Sequence, residues 1–376
     1  MKALQPRERQ LLEAFEAGEA RALARAISWV ENGRPGFERL LGAVHDRVGR
    51  AQRIGITGPP GAGKSTLIQA LALEFRKRGE RVGVVAVDPT SPFTGGALLG
   101  DRIRMAETST DDGVFIRSMA SRGSVGGLAT TTHEVADLLD AFGFERVVLE
   151  TVGVGQSELE IAEAADTTVV VLTPESGDSV QAMKAGLMEI ADIFVVNKGD
   201  RPKADRSVAE LRAALRIRTG HAYVRIPAHH GVSAASAMAR SRAEKEAGLA
   251  AGAGPAEAES SREEPAVWEI PVLKTVALDS TGGQGGRGGG IDKLLSAIDS
   301  HFEWLEASGA LAERRRGRLL ERVRAVVDRN LRARIWEGGE GGEGGGAEML
   351  ERARADLEAG RRTPYDVASG ILNEFR

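Results

Sequence analysis

The stretch that decides the fold of this 376-residue chain is residues 55–66, GITGPPGAGKST. Its part from Gly58 to Ser65 matches the phosphate-binding pattern G-x-x-x-x-G-K-S/T at every position. Residues 53–57 before it alternate like a buried strand, and Leu67, Leu71 and Phe75 after it recur every four residues, which predicts a helix. A strand-to-helix turn is the context that this motif requires, so the sequence predicts a P-loop in an α/β fold.

The chemistry of this loop follows from its residue types. Glycines let backbone N–H groups turn around phosphates, the helix N-terminus adds a partial positive charge, and Lys64 adds a full one. Ser65 is placed to ligate Mg²⁺ through its hydroxyl. A glycine-rich turn that only caps a helix is the simpler alternative, but it does not need the Gly-Lys-Ser triplet. We expect the phosphates to be bound by Gly58, Pro59, Pro60, Gly61, Ala62, Gly63, Lys64, Ser65 and Thr66.

Two predicted strands end on a carboxylate. Residues 81–88 and 146–151 are nearly continuous apolar runs, the pattern of parallel strands covered on both faces, and they carry Asp88 and Glu150 near their ends. Because ligands of open α/β sheets bind at the carboxyl ends of the strands, we expect Asp88 to face the phosphates or the metal and Glu150 to lie near the Mg²⁺. The stretches that follow, 89–102 and 152–158, read as switch loops. For the first of them, a plain connecting loop remains the alternative.

A later strand predicts the choice of base. Residues 193–196 are apolar and run into Asn197-Lys198-Gly199-Asp200, an N-K-x-D pattern. The Asp200 carboxylate can accept two hydrogen bonds from the ring N–H and the exocyclic amine of guanine, a donor pair that adenine lacks. The last strand, residues 272–278, should bring a backbone N–H near Ala277 to the guanine carbonyl oxygen. The sequence therefore predicts bound GTP or GDP, with the base contacted by Asn197, Lys198, Asp200 and Ala277.

Composition argues against several other classes of function. A net charge of −4 and a pI near 6.0 give no overall attraction to nucleic acid or anionic membranes. The absence of cysteine rules out disulfides and thiolate metal sites. Since the N-terminus has no signal-peptide pattern and no run of about 18 apolar residues exists, we expect a soluble, cytoplasmic protein. The basic stretch 311–336 suggests nucleic-acid binding, but a solvated face or a subunit contact is the better interpretation because aromatic residues are not interleaved with its arginines.

Three motifs together resemble the MeaB/ArgK family of P-loop GTPases, relatives of the human methylmalonic aciduria type A protein. They are the P-loop, the stretch DPTSPFTGGALLGDR at residues 88–102 and ETVGVGQSE at residues 150–158. The two longer motifs are far more specific than a P-loop, and the resemblance runs from about residue 10 to the end. It implies a GTPase of slow intrinsic turnover that acts as a chaperone of a cobalamin-dependent acyl-CoA mutase, usually methylmalonyl-CoA mutase, and gates its loading with adenosylcobalamin.

The resemblance also implies which residues handle the metal and the chemistry. Asp88, Asp101 and Glu150 match the carboxylates of the family's metal site and switches. Ser65 matches the P-loop hydroxyl that ligates the metal. Catalysis would consist of positioning and charge stabilisation, because phosphoryl transfer leaves little covalent work to the protein. In that scheme Lys64 and Mg²⁺ neutralise the developing charge and a carboxylate such as Asp101, or Gln156, orients water. No general base can be named from the sequence.

The expected architecture has three parts. Residues 51–305 form a mostly parallel, multi-stranded α/β GTPase domain, whose polar insertion at about 228–266 is longer than the resemblance suggests. Residues 1–50 form a helical hairpin before it. Residues 306–376 form a helical arm, which the resemblance implies is the dimerisation arm of a homodimer. The resemblance further implies that the segment from Gln181 to Lys184 is an extra switch that the mutase partner orders.

Three other classes of function remain as alternatives. A kinase of a transport-binding protein, an older label attached to ArgK, would gain nothing from a guanine motif. A GTPase for metal insertion into hydrogenase or urease should carry a Cys/His cluster, which this chain lacks. A structural binding module with an inactive P-loop would not need to keep Lys64, Ser65 and the three carboxylates together.

Overall fold

The computed structural model describes residues 4–89, 111–121, 127–151, 157–174, 186–221, 267–277, 289–336 and 345–374. Its strands in chain order are Gln52–Thr57 (β1), Val82–Pro89 (β2), Val114–Ser121 (β3), Arg146–Thr151 (β4), Thr167–Leu172 (β5), Ile193–Val196 (β6) and Val272–Lys274 (β7). In this described part they form one sheet in the order β3-β2-β4-β1-β5-β6-β7, with every neighbouring pair parallel. The prediction of an α/β fold with a mostly parallel sheet is confirmed.

Helices connect and flank the strands. Those before and within the sheet are Pro6–Glu16 (α1), Ala20–Glu31 (α2), Phe37–Ala43 (α3), Lys64–Lys77 (α4), Gly127–Phe142 (α5), Ser157–Ala164 (α6), Leu187–Ile190 (α7) and Ala204–His221 (α8). Those after β7 are Ile291–Ala307 (α9), Ala310–Trp336 (α10), Gly346–Glu358 (α11) and Pro364–Glu374 (α12). Within the described ranges, no helix combines the length and apolar character that crossing a bilayer requires.

The sheet is covered on both faces, which is why its strands read as continuous apolar runs. On β4, Val147 and Leu149 belong to one core and Val148 to the other. The first core includes residues of α1, α2, α3, α5 and α6, and the second includes residues of α4 and α9. A third core packs α7 and α8 against β5 and β6.

The N-terminal segment shares the first of these cores. Leu23, Ile27 and Val30 form the predicted apolar stripe of α2 and are buried. Helix α1 adds a third α-helix to the predicted hairpin, because Leu11 and Phe15 lie one turn apart and are buried as well. Since these residues pack in one cluster with the sheet, the boundary near residue 50 stays a prediction rather than a visible division.

The basic helix α10 is fixed to the sheet by its own arginines. Arg315 and Arg318 each place a guanidinium nitrogen 2.8 Å from the carboxylate of Asp166, just before β5. Arg314 does the same to Asp192, just before β6. These ion pairs lie at the amino ends of the strands. The sequence did not predict them, because its basic stretch indicated a solvated face or a subunit contact. The other side of α10 exposes apolar residues, each about half exposed or more: Leu319, Leu320, Val323, Val327 and Leu331.

Candidate functional site: the carboxyl edge of the sheet

The P-loop follows β1 and leads into α4, as the sequence predicts. Gly58, Gly61 and Gly63 all have positive φ, a conformation that side chains with a Cβ rarely adopt. The Lys64 ammonium is buried and donates hydrogen bonds to the carbonyl oxygens of Gly58, 2.8 Å away, and Pro59, 3.1 Å away. The lysine is thereby held inside the loop, where it can turn from these carbonyls to a phosphate oxygen.

A hydroxyl and a carboxylate meet beside the loop. Ser65 Oγ donates a hydrogen bond of 2.8 Å to Glu150 Oε1. Glu150 lies near the end of β4, in register with Ile56 of β1, and its side chain is buried. Two hard oxygen ligands fit Mg²⁺, which usually takes one or two protein carboxylates beside waters and the phosphates of its substrate. In the described part of the chain, no three His, Asp or Glu side chains lie close enough together to form a metal site of their own.

Asn197 ties the predicted base site to the phosphate loop. Its Nδ2 donates to the carbonyl oxygen of Ala62, 2.9 Å away. Its Oδ1 accepts from Thr275 Oγ1 at 3.1 Å and from the Ala277 N–H at 3.3 Å. Asn197 therefore joins β6, the P-loop and the end of β7. Because the Ala277 N–H is donated to Asn197 here, its predicted contact to the guanine oxygen stays a prediction.

The rest of the N-K-x-D motif forms a tight turn after Asn197. Lys198 has a φ of 56°, a left-handed conformation that costs a residue with a side chain about 1–3 kcal/mol. The N–H of Gly199 donates to the Thr275 carbonyl oxygen, 2.8 Å away. Asp200 lies at the exposed end of this turn, where a base can reach its carboxylate. The Lys274–Asp205 ion pair, 2.6 Å long, crosses beside the turn.

Several predicted site residues cannot be placed. Asp101, Gln156, Gln181 and Lys184 lie outside the described residues. Asp88 is described through its backbone, in register with Ala120 of β3 at the carboxyl end of β2, the strand next to β4. The structure therefore brings together Lys64, Ser65, Glu150 and Asn197, whereas the roles of the other residues stay predictions.

Sequence reasoning missed two threonines of this edge. Thr57 Oγ1 and Thr151 Oγ1 lie 2.9 Å apart, both are fully buried, and they join the ends of β1 and β4. One precedes the P-loop directly and the other follows Glu150. Their positions could have indicated the contact. Each hydroxyl residue lies at the end of its strand beside a motif, and the carboxyl ends of adjacent parallel strands lie side by side. The pair holds the end of β1, which leads into the P-loop, beside the end of β4, which carries Glu150.

The arrangement defines a P-loop nucleotide-binding protein: a phosphate loop, a hydroxyl–carboxylate pair and a base motif along one edge of a parallel sheet. A family model described as "Methylmalonyl Co-A mutase-associated GTPase MeaB" matches residues 23–340. The chain belongs to this family of GTPases.

Relatives agree with this family, and a solved structure agrees with the fold. A Pyrococcus abyssi protein named as a GTPase is 42% identical over 367 residues, 97% of this chain and 96% of that protein. The mitochondrial methylmalonic aciduria type A homolog of Caenorhabditis elegans is 39% identical over 230 residues, 56% of this chain and 58% of that protein. A crystal structure of a LAO/AO transport system kinase covers 100% of this chain and 99% of its own at a TM-score of 0.61 and 23% identity, and so supports the fold alone.

Proposed function

We propose that this protein binds GTP and GDP with Mg²⁺ and hydrolyses GTP slowly, as a chaperone of a cobalamin-dependent acyl-CoA mutase. The observation that carries the nucleotide part is the position of Asn197. Its hydrogen bonds to the Ala62 carbonyl oxygen and the Ala277 N–H hold the guanine motif against the phosphate loop. One nucleotide can then reach Lys64 with its phosphates and Asp200 with its base.

Hydrolysis needs positioning and charge stabilisation rather than covalent chemistry. Lys64 neutralises charge on the phosphates from within the loop, and Ser65 with Glu150 would hold Mg²⁺, which supplies further positive charge when bound. Asp88 and Asp101 complete the proposed set of metal and switch carboxylates. Gln156 or Asp101 would orient water. Slow turnover without a partner is expected because the sequence shows no evident arginine finger, and the partner could bring in Arg102, Arg104 or Lys184.

The variant Asp200→Asn should lose its preference for guanine. The asparagine amide keeps one acceptor oxygen and replaces the other with an NH2 donor that faces a guanine N–H group. Loss of one hydrogen bond to a charged group, and of the charge from the other, costs about 2.5–4.5 kcal/mol, or roughly 60- to 1,600-fold in GDP affinity, while ADP binding should change little. Calorimetric titration of GDP and ADP, with Mg²⁺ present, measures both affinities.

Lys64→Ala is the matched comparison for Asp200→Asn, because it removes a phosphate contact and leaves the base motif intact. It should weaken the binding of GDP and of ADP by a similar factor, so that the ratio of the two affinities stays as in the unaltered protein. Equal affinities of the unaltered protein for GDP and ADP would contradict the proposed guanine specificity.

The mutase partner is the second part of the proposal. The family to which the chain belongs is named for its association with methylmalonyl-CoA mutase, and the resemblance implies that Gln181 to Lys184 is the segment that reports the nucleotide to the partner. This assignment gives the protein no cobalamin chemistry of its own, so it would act through contacts. Its cytoplasmic location remains a prediction from the sequence.

A cobalamin-dependent acyl-CoA mutase from the same source should raise GTP turnover. Lys184→Ala should reduce that stimulation and leave GDP affinity nearly intact, since the segment acts through the partner rather than on the base or the phosphates. The exposed Lys77→Ala on α4 serves as the control and should keep full stimulation. Neither stimulation nor co-elution with any such mutase, in either nucleotide state, would favour the kinase alternative or a GTPase with another partner.

The helical arm from residue 306 is proposed to form a homodimer. Support comes from α10, whose exposed Leu319, Val323, Val327 and Leu331 follow one another at four-residue spacing. An unpartnered apolar stripe of this kind usually marks an interface. Light scattering on the same samples as the turnover assay reports the mass, and a monomer in both nucleotide states would contradict the dimer.

A further inference from the structure

One carboxylate joins three elements at the amino edge of the sheet. Asp166 lies between α6 and β5 and is fully buried. Its Oδ2 accepts hydrogen bonds from the backbone N–H of Arg53 in β1 at 3.1 Å and from Arg315 Nη2 at 2.8 Å. Its Oδ1 accepts from Arg318 Nη2 at 2.8 Å. The end of α6 is thereby fixed both to the strand that leads into the P-loop and to α10.

The arginines of α10 also bind the last carbonyl groups beyond α6. Arg318 Nη2 donates to the Ala165 carbonyl oxygen at 2.9 Å, and Arg314 Nη1 donates to that of Asp166 at 2.7 Å. Cations at a helix C-terminus stabilise it through its unpaired carbonyl groups and its dipole. We call Arg314, Arg315 and Arg318, with the Ala165–Asp166 end that they hold, the arginine clamp.

Helix α6 lies between the clamp and the nucleotide edge. A Cβ added at Gly55 of β1 would lie 2.8 Å from Ile161 Cγ2 and 3.0 Å from Ala165 Cβ, so the helix rests directly on the strand backbone. The P-loop begins three residues later, and the extended chain from Arg53 to Gly58 spans about 16 Å. The first residue of α6, Ser157, comes soon after Glu150 and Thr151 at the end of β4. A displacement at the nucleotide edge that reaches α6 therefore meets the clamp at the other end of this helix.

We propose that the arginine clamp transmits the nucleotide state from α6 to α10 and so to the C-terminal helices. This regulation rests on the proposed guanine-nucleotide function. Separating buried, paired charges leaves them uncompensated at high cost, so α6 and α10 move together more readily than apart. The opposite side of α10 carries the exposed apolar stripe, and any shift of α10 is presented on that surface. The clamp residues are positioning residues, distant from the phosphates.

Hydrogen exchange on the full chain tests the clamp, with GDP in one sample and a non-hydrolysable GTP analogue in the other, both with Mg²⁺. We expect amide exchange in residues 319–331 to differ between the two states by about fivefold or more, the lower end of ordinary allosteric coupling. Arg318→Met should remove this difference while both nucleotides still bind. Arg315→Gln should do the same, and it keeps the test decisive if the buried Arg318 variant fails to fold, because the Arg315 side chain is 23% exposed.

Arg329→Met is the matched control. Arg329 lies on the same helix and pairs with Glu134 of α5 at 3.0 Å, so its loss weakens α10 packing without touching α6. The Arg329 variant should keep the difference in amide exchange between the two nucleotide states. If the clamp were only structural, all three variants would lower the melting temperature and all three would keep that difference. Equal exchange in 319–331 with both nucleotides, at normal affinity for each, would overturn the clamp and leave the proposed function standing. Failure to bind guanine nucleotides would overturn both.

Discussion

Gly58→Ala is expected to abolish tight nucleotide binding. Gly58 has a φ of 138°, and a Cβ at this position would lie 2.0 Å from the carbonyl oxygen of Val171 in β5. Both partners are backbone, so either the loop or the strand must shift, at a cost of about 2–6 kcal/mol from conformational strain and overpacking together. Because the Lys64 ammonium is bound to the Gly58 carbonyl oxygen, a shift of the loop also displaces the phosphate-binding charge.

The measurement is GDP affinity, which should fall roughly 30-fold to 20,000-fold with that cost. Gly61→Ala is the control, since Gly61 shares the positive φ, at 77°, but a Cβ there would have no atom within 4 Å. This variant should weaken GDP binding only by the strain of placing a side-chain residue in a left-handed backbone conformation, about 1–2 kcal/mol. Similar losses in the two variants would mean that the contact with β5 does not shape the loop. Circular dichroism of both variants separates a lost site from a lost fold.

The parts of the site that sequence reasoning found are those governed by local rules. The P-loop pattern specifies its own strand-to-helix context, and a carboxylate at the end of a parallel strand must lie at the ligand edge. These two rules predicted that Ser65 and Glu150, 85 positions apart, would lie together, and their oxygens are 2.8 Å apart. Asn197 also lies at this edge, directly after β6, although the rule gives no hint of its partners.

The amino edge of the sheet followed no such rule. Arg314 contacts Asp192 across 122 positions, and the buried His301 lies 3.3 Å from the same carboxylate. An arginine that faces a buried aspartate has the same helical spacing as one that faces water, so periodicity cannot separate the two. The sequence placed the Ala277 N–H at the predicted base site but did not predict that Asn197 accepts it, because a backbone N–H has no side-chain signature and its partner depends on where β7 ends.

The largest effect on stability is expected at Asp166. Burial alone would raise the pKa of this carboxyl, but the charges of Arg318, Arg315 and Arg53 outweigh it and hold the pKa well below its ordinary range. A depressed carboxyl pKa contributes stability above the pKa of the unfolded chain, about 3.9 for Asp, and that stability is lost as the pH falls toward the folded-state pKa. The contribution is therefore complete at neutral pH and disappears in acid.

Asp166→Asn should lower the free energy of unfolding by about 3–5 kcal/mol at pH 7, because it leaves the buried Arg318 and its neighbour Arg315 without their charge partner. Urea denaturation of the unaltered protein and the variant at a series of pH values measures the difference. The difference in free energy of unfolding should stay constant from pH 7 to about pH 5. It should shrink as the pH falls below about 4, because the stability that the ionised Asp166 gives the unaltered protein is then lost.

Asp299→Asn is the matched control for this loss. Asp299 also faces two arginines, Arg78 at 2.6 Å and Arg146 at 3.0 Å, but its side chain is 26% exposed. Solvent screens such pairs, so this variant should lose less than about 1 kcal/mol. If the two variants lost the same stability, or if the Asp166→Asn difference did not change between pH 7 and the acid end of the series, charge pairing at Asp166 would not hold α10 to the sheet. Packing of α10 would then have to account for its attachment.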